Sequence, residues 1–282
     1  MTTENLEPGN FPDARRAADF VKLDKETPQT RNPAYKLAFQ DTDFLLREDL
    51  RPVRFQLELL KPELLMDEAK IGSLFVMYGS ARIPEPGQAA QADAPAVAER
   101  LEAKAHYYEE ARKLAQLASQ TPPDADGTRH FVVCSGGGPS IMEAANRGAQ
   151  DVGAESVGLN IVLPHEQAPN LYVTPALSFQ FHYFALRKMH FLLRARAVAV
   201  FPGGFGTFDE TFELLTLIQT GKIKAMPVLM FGRSFWERVV NFEALVEEGV
   251  ISAKDLGLFR YVETAEEAWA AVQDWYAEGQ GA

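Results

Sequence analysis

Two glycine-rich segments combine glycines with a hydroxyl and a carboxylate at matching spacing. The first is CSGGGPSIME, from Cys134 to Glu143, and the second is FPGGFGTFDE, from Phe201 to Glu210. In each, a short apolar run precedes the glycines and a helical pattern follows, which predicts a strand-to-helix turn. Glycine lets the backbone approach a ligand with its N–H groups pointing inward, and a helix start adds partial positive charge. The predicted chemistry is the binding of a phosphate.

Both segments also fit a purely structural pattern. Ser140-x-x-Glu143 and Thr207-x-x-Glu210 match the capping box, in which each glutamate only accepts a hydrogen bond at the start of its own helix. One such pattern alone would favour that interpretation. Two of them, each behind a cluster of three glycines, favour a ligand site.

A basic pair, Arg187-Lys188, precedes the apolar run that leads to Gly203. Two interpretations of this pair are open. It is either a solvated basic patch on an amphipathic helix, or it places the Arg187 side chain at the mouth of the second turn.

The dinucleotide pattern G-x-G-x-x-G is missing after the first predicted strand, where only Gly79 is available. This absence argues against an NAD-dependent dehydrogenase. Cys134 is the only cysteine, so it can form neither an internal disulfide nor a structural zinc site, and we expect it to fill the core.

The elements around these turns alternate between short apolar strands and helices. This order predicts a Rossmann-like α/β fold, with a parallel sheet covered by helices on both faces. We expect a catalytic domain over residues 71–282, with a loop or insertion at 83–96, and an N-terminal extension over 1–70. Within the extension, 1–31 is polar, and 32–70 carries short helices broken near Pro52 and Pro62. Strands are predicted at 73–78, 131–134, 157–162, 177–181, 198–201 and 227–231, and helices at 99–118, 140–150, 183–195, 207–220, 234–247 and 264–276.

Composition excludes several partners. The formal net charge of −11 and the lack of a basic cluster argue against nucleic acid. No apolar run approaches the length of a membrane span, and the N-terminus has no signal-like apolar stretch. We therefore expect a cytoplasmic protein without membrane contact.

Taken together, these motifs resemble the Lonely Guy family. The resemblance rests on Pro202-Gly203-Gly204-x-Gly206-Thr207-x-x-Glu210, the preceding Arg187-Lys188, the turn Gly79-Ser80-Ala81-Arg82, and GGGPSIMEAANRGA at 136–149. Its members are phosphoribohydrolases of cytokinin riboside 5′-monophosphates and their bacterial relatives, many of them long mislabelled lysine decarboxylases. The chain is similar to the longer bacterial branch, because the short plant-like members lack an extension such as 1–70 and often carry Asp where Arg196 stands.

The resemblance implies a Rossmann-like fold, a homodimer or larger homo-oligomer, a nucleoside 5′-monophosphate substrate, and neither cofactor nor metal. It implies that Arg187 and Glu210 are catalytic. The substrate-binding positions that we predict from the motifs are Ser80, Gly137, Gly138, Glu143, Lys188, Gly203, Gly204, Gly206 and Thr207.

The expected reaction is hydrolysis of the base–ribose bond. Positive charge develops on the ribose ring, and a carboxylate such as Glu210 stabilises it or activates the attacking water. Two alternatives remain open: a carrier that binds a nucleotide or the molybdenum cofactor without hydrolysis, and a regulatory sensor in which the N-terminal helices report nucleotide occupancy.

Overall fold

A computed structural model describes residues 13–21, 26–164 and 168–279, so the polar stretch predicted for 1–31 lies partly outside the described residues. The chain divides into two compact units, Met1–Leu57 and Glu58–Ala282. The first unit carries the short helices α1 (Ala14–Phe20), α2 (Pro28–Arg31) and α3 (Thr42–Leu45), and the long helix α4 begins there at Arg51. Three short 3-10 segments lie between them, at Pro33–Tyr35, Ala38–Gln40 and Glu48–Leu50.

The second unit is built on one sheet of seven parallel strands, in the order β4-β3-β2-β1-β5-β6-β7. The Rossmann-like prediction is therefore confirmed. The strands are β1 (Leu74–Tyr78), β2 (Val132–Ser135), β3 (Val157–Ile161), β4 (Ser178–Phe181), β5 (Ala195–Val200), β6 (Val228–Phe231) and β7 (Arg260–Val262).

The helices that follow α4 (Arg51–Glu68) pack around this sheet. They are α5 (Pro95–Glu102), α6 (His106–Ser119), α7 (Ile141–Asp151), α8 (Phe184–Leu193), α9 (Phe205–Gln219), α10 (Arg233–Val239), α11 (Phe242–Glu247) and α12 (Ala265–Ala277). The helices predicted at 99–118 and 234–247 are each two helices, and β7 was not predicted. β7 has three residues, one of them exposed, which is too short for a periodic signal.

The sheet is buried on both faces. Along β1, Leu74, Val76 and Tyr78 belong to one core cluster, and Phe75 and Met77 belong to the other. This alternation follows from the two-residue period of a strand. Burial on both faces explains why the central strands are nearly unbroken apolar runs.

The predicted break at Pro62 is wrong, because α4 runs through this residue. Pro52 is the second residue of α4, where a missing N–H costs nothing. Pro62 lies inside the helix, and its missing N–H leaves the Glu58 carbonyl without an intrahelical donor. His190 Nε2 donates to that carbonyl at 3.1 Å, so a side chain from α8 replaces the lost backbone bond.

Among the described helices, none combines the length and the apolar character needed to cross a bilayer.

Candidate functional site

Three loops meet where the order of the strands reverses. β1 and β5 are neighbours in the sheet, and β2 lies on the other side of β1. In open α/β sheets the carboxyl ends of the strands at such a switch point form the ligand crevice. The backbone of Ser80, just after β1, joins all three loops: its N–H donates to the Pro202 carbonyl at 3.1 Å, and its carbonyl accepts from the Ile141 N–H at 3.3 Å.

The second glycine turn is open. A Cβ atom placed on Gly204 or Gly206 would meet no atom within 4 Å, whereas one on Gly203 would lie 2.2 Å from the Thr207 hydroxyl. The first intrahelical hydrogen bond of α9 runs from Phe208 N–H to the Gly204 carbonyl at 3.0 Å. The N–H groups at 205–207 come before it and have no partner within the helix. The turn therefore combines backbone donors, free space and the positive end of a long helix.

Neither glutamate caps its own helix. α9 is preceded by Gly204 as its N-cap residue, so Thr207 and Glu210 are the third and sixth residues of the helix. At the first turn, the Ser140 hydroxyl donates to the Ile83 carbonyl, and the Glu143 carboxylate accepts from the Tyr108 hydroxyl at 2.9 Å. The capping-box interpretation is therefore wrong for both segments.

Arg187 and Glu210 form a buried ion pair. Arg187 Nη1 donates to Glu210 Oε1 at 3.2 Å, and the two side chains are only 11% and 14% exposed. Arg187 Nε donates to the Leu159 carbonyl at 2.7 Å, and its guanidinium carbon lies 5.0 Å from the centre of the Phe191 ring. Arg187 is therefore not part of a solvated basic patch.

The first glycine turn is packed against this arginine. A Cβ atom on Gly136 would lie 2.6 Å from Arg187 Nη2, so the two glycine segments meet through Arg187. Gly137 has a φ of +73°, its N–H donates to the Ser135 hydroxyl at 3.0 Å, and the Asn160 side chain occupies the space where a Cβ atom would lie. The Gly138 carbonyl accepts from the Asn170 amide. This turn supports Arg187 and lacks the free space of the second turn, and the substrate contacts of Gly137 and Gly138 remain predictions.

Glu143 lines a cavity of about 960 Å³ beside the β1 turn. Arg82 and Ser140 also line it, together with the loop predicted at 83–96. The network around Glu143 continues from Tyr108 to Arg147, whose guanidinium pairs with Glu85 at 2.9 Å. Glu143 thus faces a space that could hold part of a ligand.

Lys188 is held by two carboxylates of α9. Its Nζ lies 3.1 Å from Asp209 Oδ1 and 2.9 Å from Glu213 Oε2. Burial lowers the pKa of Lys188, but the hydrogen bonds to Glu213 and Asp209 outweigh it and raise the pKa above its ordinary value. Lys188 is therefore a protonated lysine that bridges α8 and α9, and substrate contact by its Nζ would require it to leave a carboxylate.

Burial raises the pKa of Glu210 to about 7, although the cation of Arg187 opposes the shift. Asp209 adds to the rise, and Lys188 reduces it. A carboxyl group with a pKa near neutrality can hold and release a proton during turnover.

Tyr78 and Cys134 are buried neighbours of this pair, and neither was predicted to belong to the site. Burial raises the pKa of Tyr78 well above its ordinary value, and the nearby Glu210 and Cys134 raise it further. The Tyr78 ring packs edge-on against Phe191, at 5.1 Å between ring centres. In the sequence, only the position of Tyr78 at the end of a predicted buried strand indicated that it could lie near the site. Cys134 is buried, as expected for a residue that fills the core, and burial raises the pKa of its thiol.

Metal ligands are not grouped within the described ranges: no three His, Cys, Asp or Glu side chains lie together as they would around an ion.

Gly136→Ala tests the contact between the first turn and Arg187. We expect the chain to fold, because the added methyl group meets only the flexible ends of Arg187 and Met142. Displacement of Arg187 by about 1 Å should lower turnover of the nucleoside 5′-monophosphate that the resemblance implies by roughly 10- to 100-fold. The control is Gly257→Ala, where a Cβ atom would meet nothing within 4 Å. Normal turnover in Gly136→Ala would show that the exact position of Arg187 does not matter.

Residues 142–272 match a protein family described as possible lysine decarboxylase. No curated protein matches the chain significantly in sequence. Among solved structures, the molybdenum cofactor binding protein of Rippkaea orientalis is 15% identical, with a TM-score of 0.43, over 72% of this chain and 96% of that one. The molybdenum cofactor carrier protein of Chlamydomonas reinhardtii is 18% identical, with a TM-score of 0.43, over 73% and 99%. At these scores, neither likeness says anything about activity.

Proposed function

We propose, from the premise that residues 142–272 are a domain of the Lonely Guy family, that this protein hydrolyses the N-glycosidic bond of a nucleoside 5′-monophosphate. The observation that carries the proposal is the buried pair of Arg187 and Glu210 beside the open second turn, at the switch point of the sheet. The products are a free base and ribose 5-phosphate.

In the proposed reaction, the bond from C1′ to the base nitrogen breaks, and the base leaves with the electron pair and takes up a proton. Water forms the new bond to C1′ and gives a proton to the Glu210 carboxylate, which then releases a proton to the solvent in exchange for the one that the base takes up from it. The same carboxylate stabilises the positive charge that develops on the ribose ring. A pKa of about 7 suits both steps, because the group is partly ionised at neutral pH and can bind the proton it receives.

Arg187 has two tasks in this proposal. It orients the Glu210 carboxylate through the 3.2 Å hydrogen bond, and it offers a cation to the substrate. The N–H groups at the start of α9, with Gly204 and Gly206 leaving room, hold the 5′-phosphate. Because the phosphate is remote from the reacting bond, its binding energy positions C1′ against Glu210.

The description of the matched family suggests a decarboxylase, and the lysine beside the pair does not support that reaction. A pyridoxal-dependent decarboxylase needs a lysine that forms a Schiff base with the cofactor. Lys188, the lysine nearest to the pair in sequence, is held protonated by Asp209 and Glu213. A protonated amine cannot attack an aldehyde, so we do not propose decarboxylation.

A panel of purine and pyrimidine nucleoside 5′-monophosphates tests the proposal, with free base and ribose 5-phosphate measured as products. We expect at least one nucleotide to be cleaved, and the matching nucleoside without phosphate to react poorly, since it lacks the group that binds the second turn. Tight binding with recovery of the intact nucleotide would contradict hydrolysis. It would favour a carrier or a sensor instead.

A further inference from the structure

The second half of α4 contacts the helix that carries Arg187. The Glu58 carboxylate accepts from the backbone N–H groups of His182 at 2.9 Å and Tyr183 at 3.2 Å. Tyr183 is the N-cap residue of α8, and its own side chain makes no capping bond. Glu58 therefore accepts from the N–H groups of the N-cap residue and of the residue before it, and its negative charge lies near the positive end of α8.

The same residue also contacts α8 further along. Pro62 leaves the Glu58 carbonyl free, and His190 Nε2 donates to it at 3.1 Å. Nε2 must carry a proton, because a carbonyl oxygen can only accept, and Nδ1 of the same ring lies 3.4 Å from Glu63 Oε1. Burial lowers the pKa of the ring. Glu58 thus binds α8 through its carboxylate before Arg187 and through its carbonyl after Arg187.

Arg194, at the end of α8, completes the attachment. Its Nη2 donates to Glu63 Oε2 at 2.9 Å and to Asp67 Oδ1 at 2.6 Å. These three side chains are partly exposed, so each pair alone contributes little stability. Their effect is geometric, because they fix the end of α8 on the same helix that holds its start.

We propose that Glu58 is a positioning residue for Arg187, and that it fixes the rotation and height of α8 so that the guanidinium meets the Glu210 carboxylate. This proposal rests on the proposed function for its effect on turnover, but its structural part does not. It gives Glu58, Glu63 and Asp67, within the extension predicted at 1–70, a role in the site.

The test compares Glu58→Ala with Glu68→Ala. Both variants remove a glutamate of α4, but Glu68 is exposed at the last position of that helix. Two quantities are measured: kcat for the cleaved nucleotide, and the titration midpoint of the Glu210 carboxyl carbon by ¹³C NMR, assigned through its loss in Glu210→Gln. In Glu58→Ala we expect kcat to fall roughly 10- to 100-fold and the Glu210 midpoint to rise, because its neighbouring cation moves away. Glu68→Ala should match the wild type in both.

Glu58→Gln keeps one acceptor oxygen, so its kcat should lie between those of Glu58→Ala and the wild type. If Glu58→Ala does not fold, both quantities are measured in Glu58→Gln instead. An unchanged Glu210 midpoint in the Glu58 variants overturns the inference, even if kcat falls, because a general loss of stability would not act through Arg187. If the wild type cleaves no nucleotide, the proposed function fails, but the midpoint still decides whether Glu58 positions Arg187.

Discussion

Glu210→Gln is expected to lower kcat for nucleotide cleavage by about 10²–10⁴ while leaving nucleotide affinity nearly unchanged. Glutamine has almost the same shape and can still accept the hydrogen bond from Arg187. It cannot receive a proton from water, and it offers no full negative charge to the ribose ring. The phosphate contacts are formed by the backbone of the second turn in our proposal, so they should survive the change.

The measurement is the rate of ribose 5-phosphate release at saturating nucleotide, with affinity measured by calorimetry. Glu247→Gln is the matched control, because it makes the same chemical change at an exposed position on α11. Wild-type kcat in Glu210→Gln would end the catalytic role of this residue. Loss of binding together with kcat would instead place Glu210 among the groups that hold the ligand.

The glycine turns and most of the sheet could be predicted because their signals are local. A buried parallel strand is an apolar run, and the glycines after β2 and β5 interrupt it at the point where the helix begins. The prediction failed for β7, which was not predicted, and for α4, where a break was predicted, because the signal is short or distant. β7 has only three residues, and α4 continues through Pro62 because His190, far away in the sequence, binds the free carbonyl.

The proximity of Arg187 and Glu210 could not be derived from spacing. It depends on the position of β5 next to β1, which brings α9 beside α8, and only the family resemblance indicated it. No local pattern indicated that the two glycine turns differ. Gly137 is enclosed because Asn160 extends from β3, whereas nothing covers Gly204. The difference between the two turns therefore arises from neighbours that no local pattern reveals.

The burial that suits Glu210 to its proposed role should also reduce the stability of the protein at neutral pH. Its pKa in the folded state is raised from 4.5 to about 7, so the folded state binds this proton more tightly than the unfolded chain. Below about pH 4.5 the group is protonated in both states and has no effect. Between about pH 4.5 and about pH 7, Glu210 ionises in the unfolded chain but stays largely protonated in the folded state. The free energy of unfolding therefore falls as the pH rises. At 1.36 kcal/mol per unit, the shift corresponds to a loss of about 3 kcal/mol above pH 7.

Glu210→Gln removes this titration, and the difference in unfolding free energy between the variant and the wild type is therefore expected to depend on pH. The measurement is urea unfolding at about pH 5 and about pH 8. Relative to the wild type, the variant should be more stable at the higher pH than at the lower pH by up to about 3 kcal/mol. Glutamine leaves the Arg187 cation without its ion pair. This lowers the stability of the variant by the same amount at every pH, so it does not alter how the stability difference depends on pH. Glu247→Gln should show no such slope. Parallel stability curves for Glu210→Gln and the wild type would mean that Glu210 has an ordinary pKa, and the same carboxylate could then not serve as the proton acceptor proposed for the reaction.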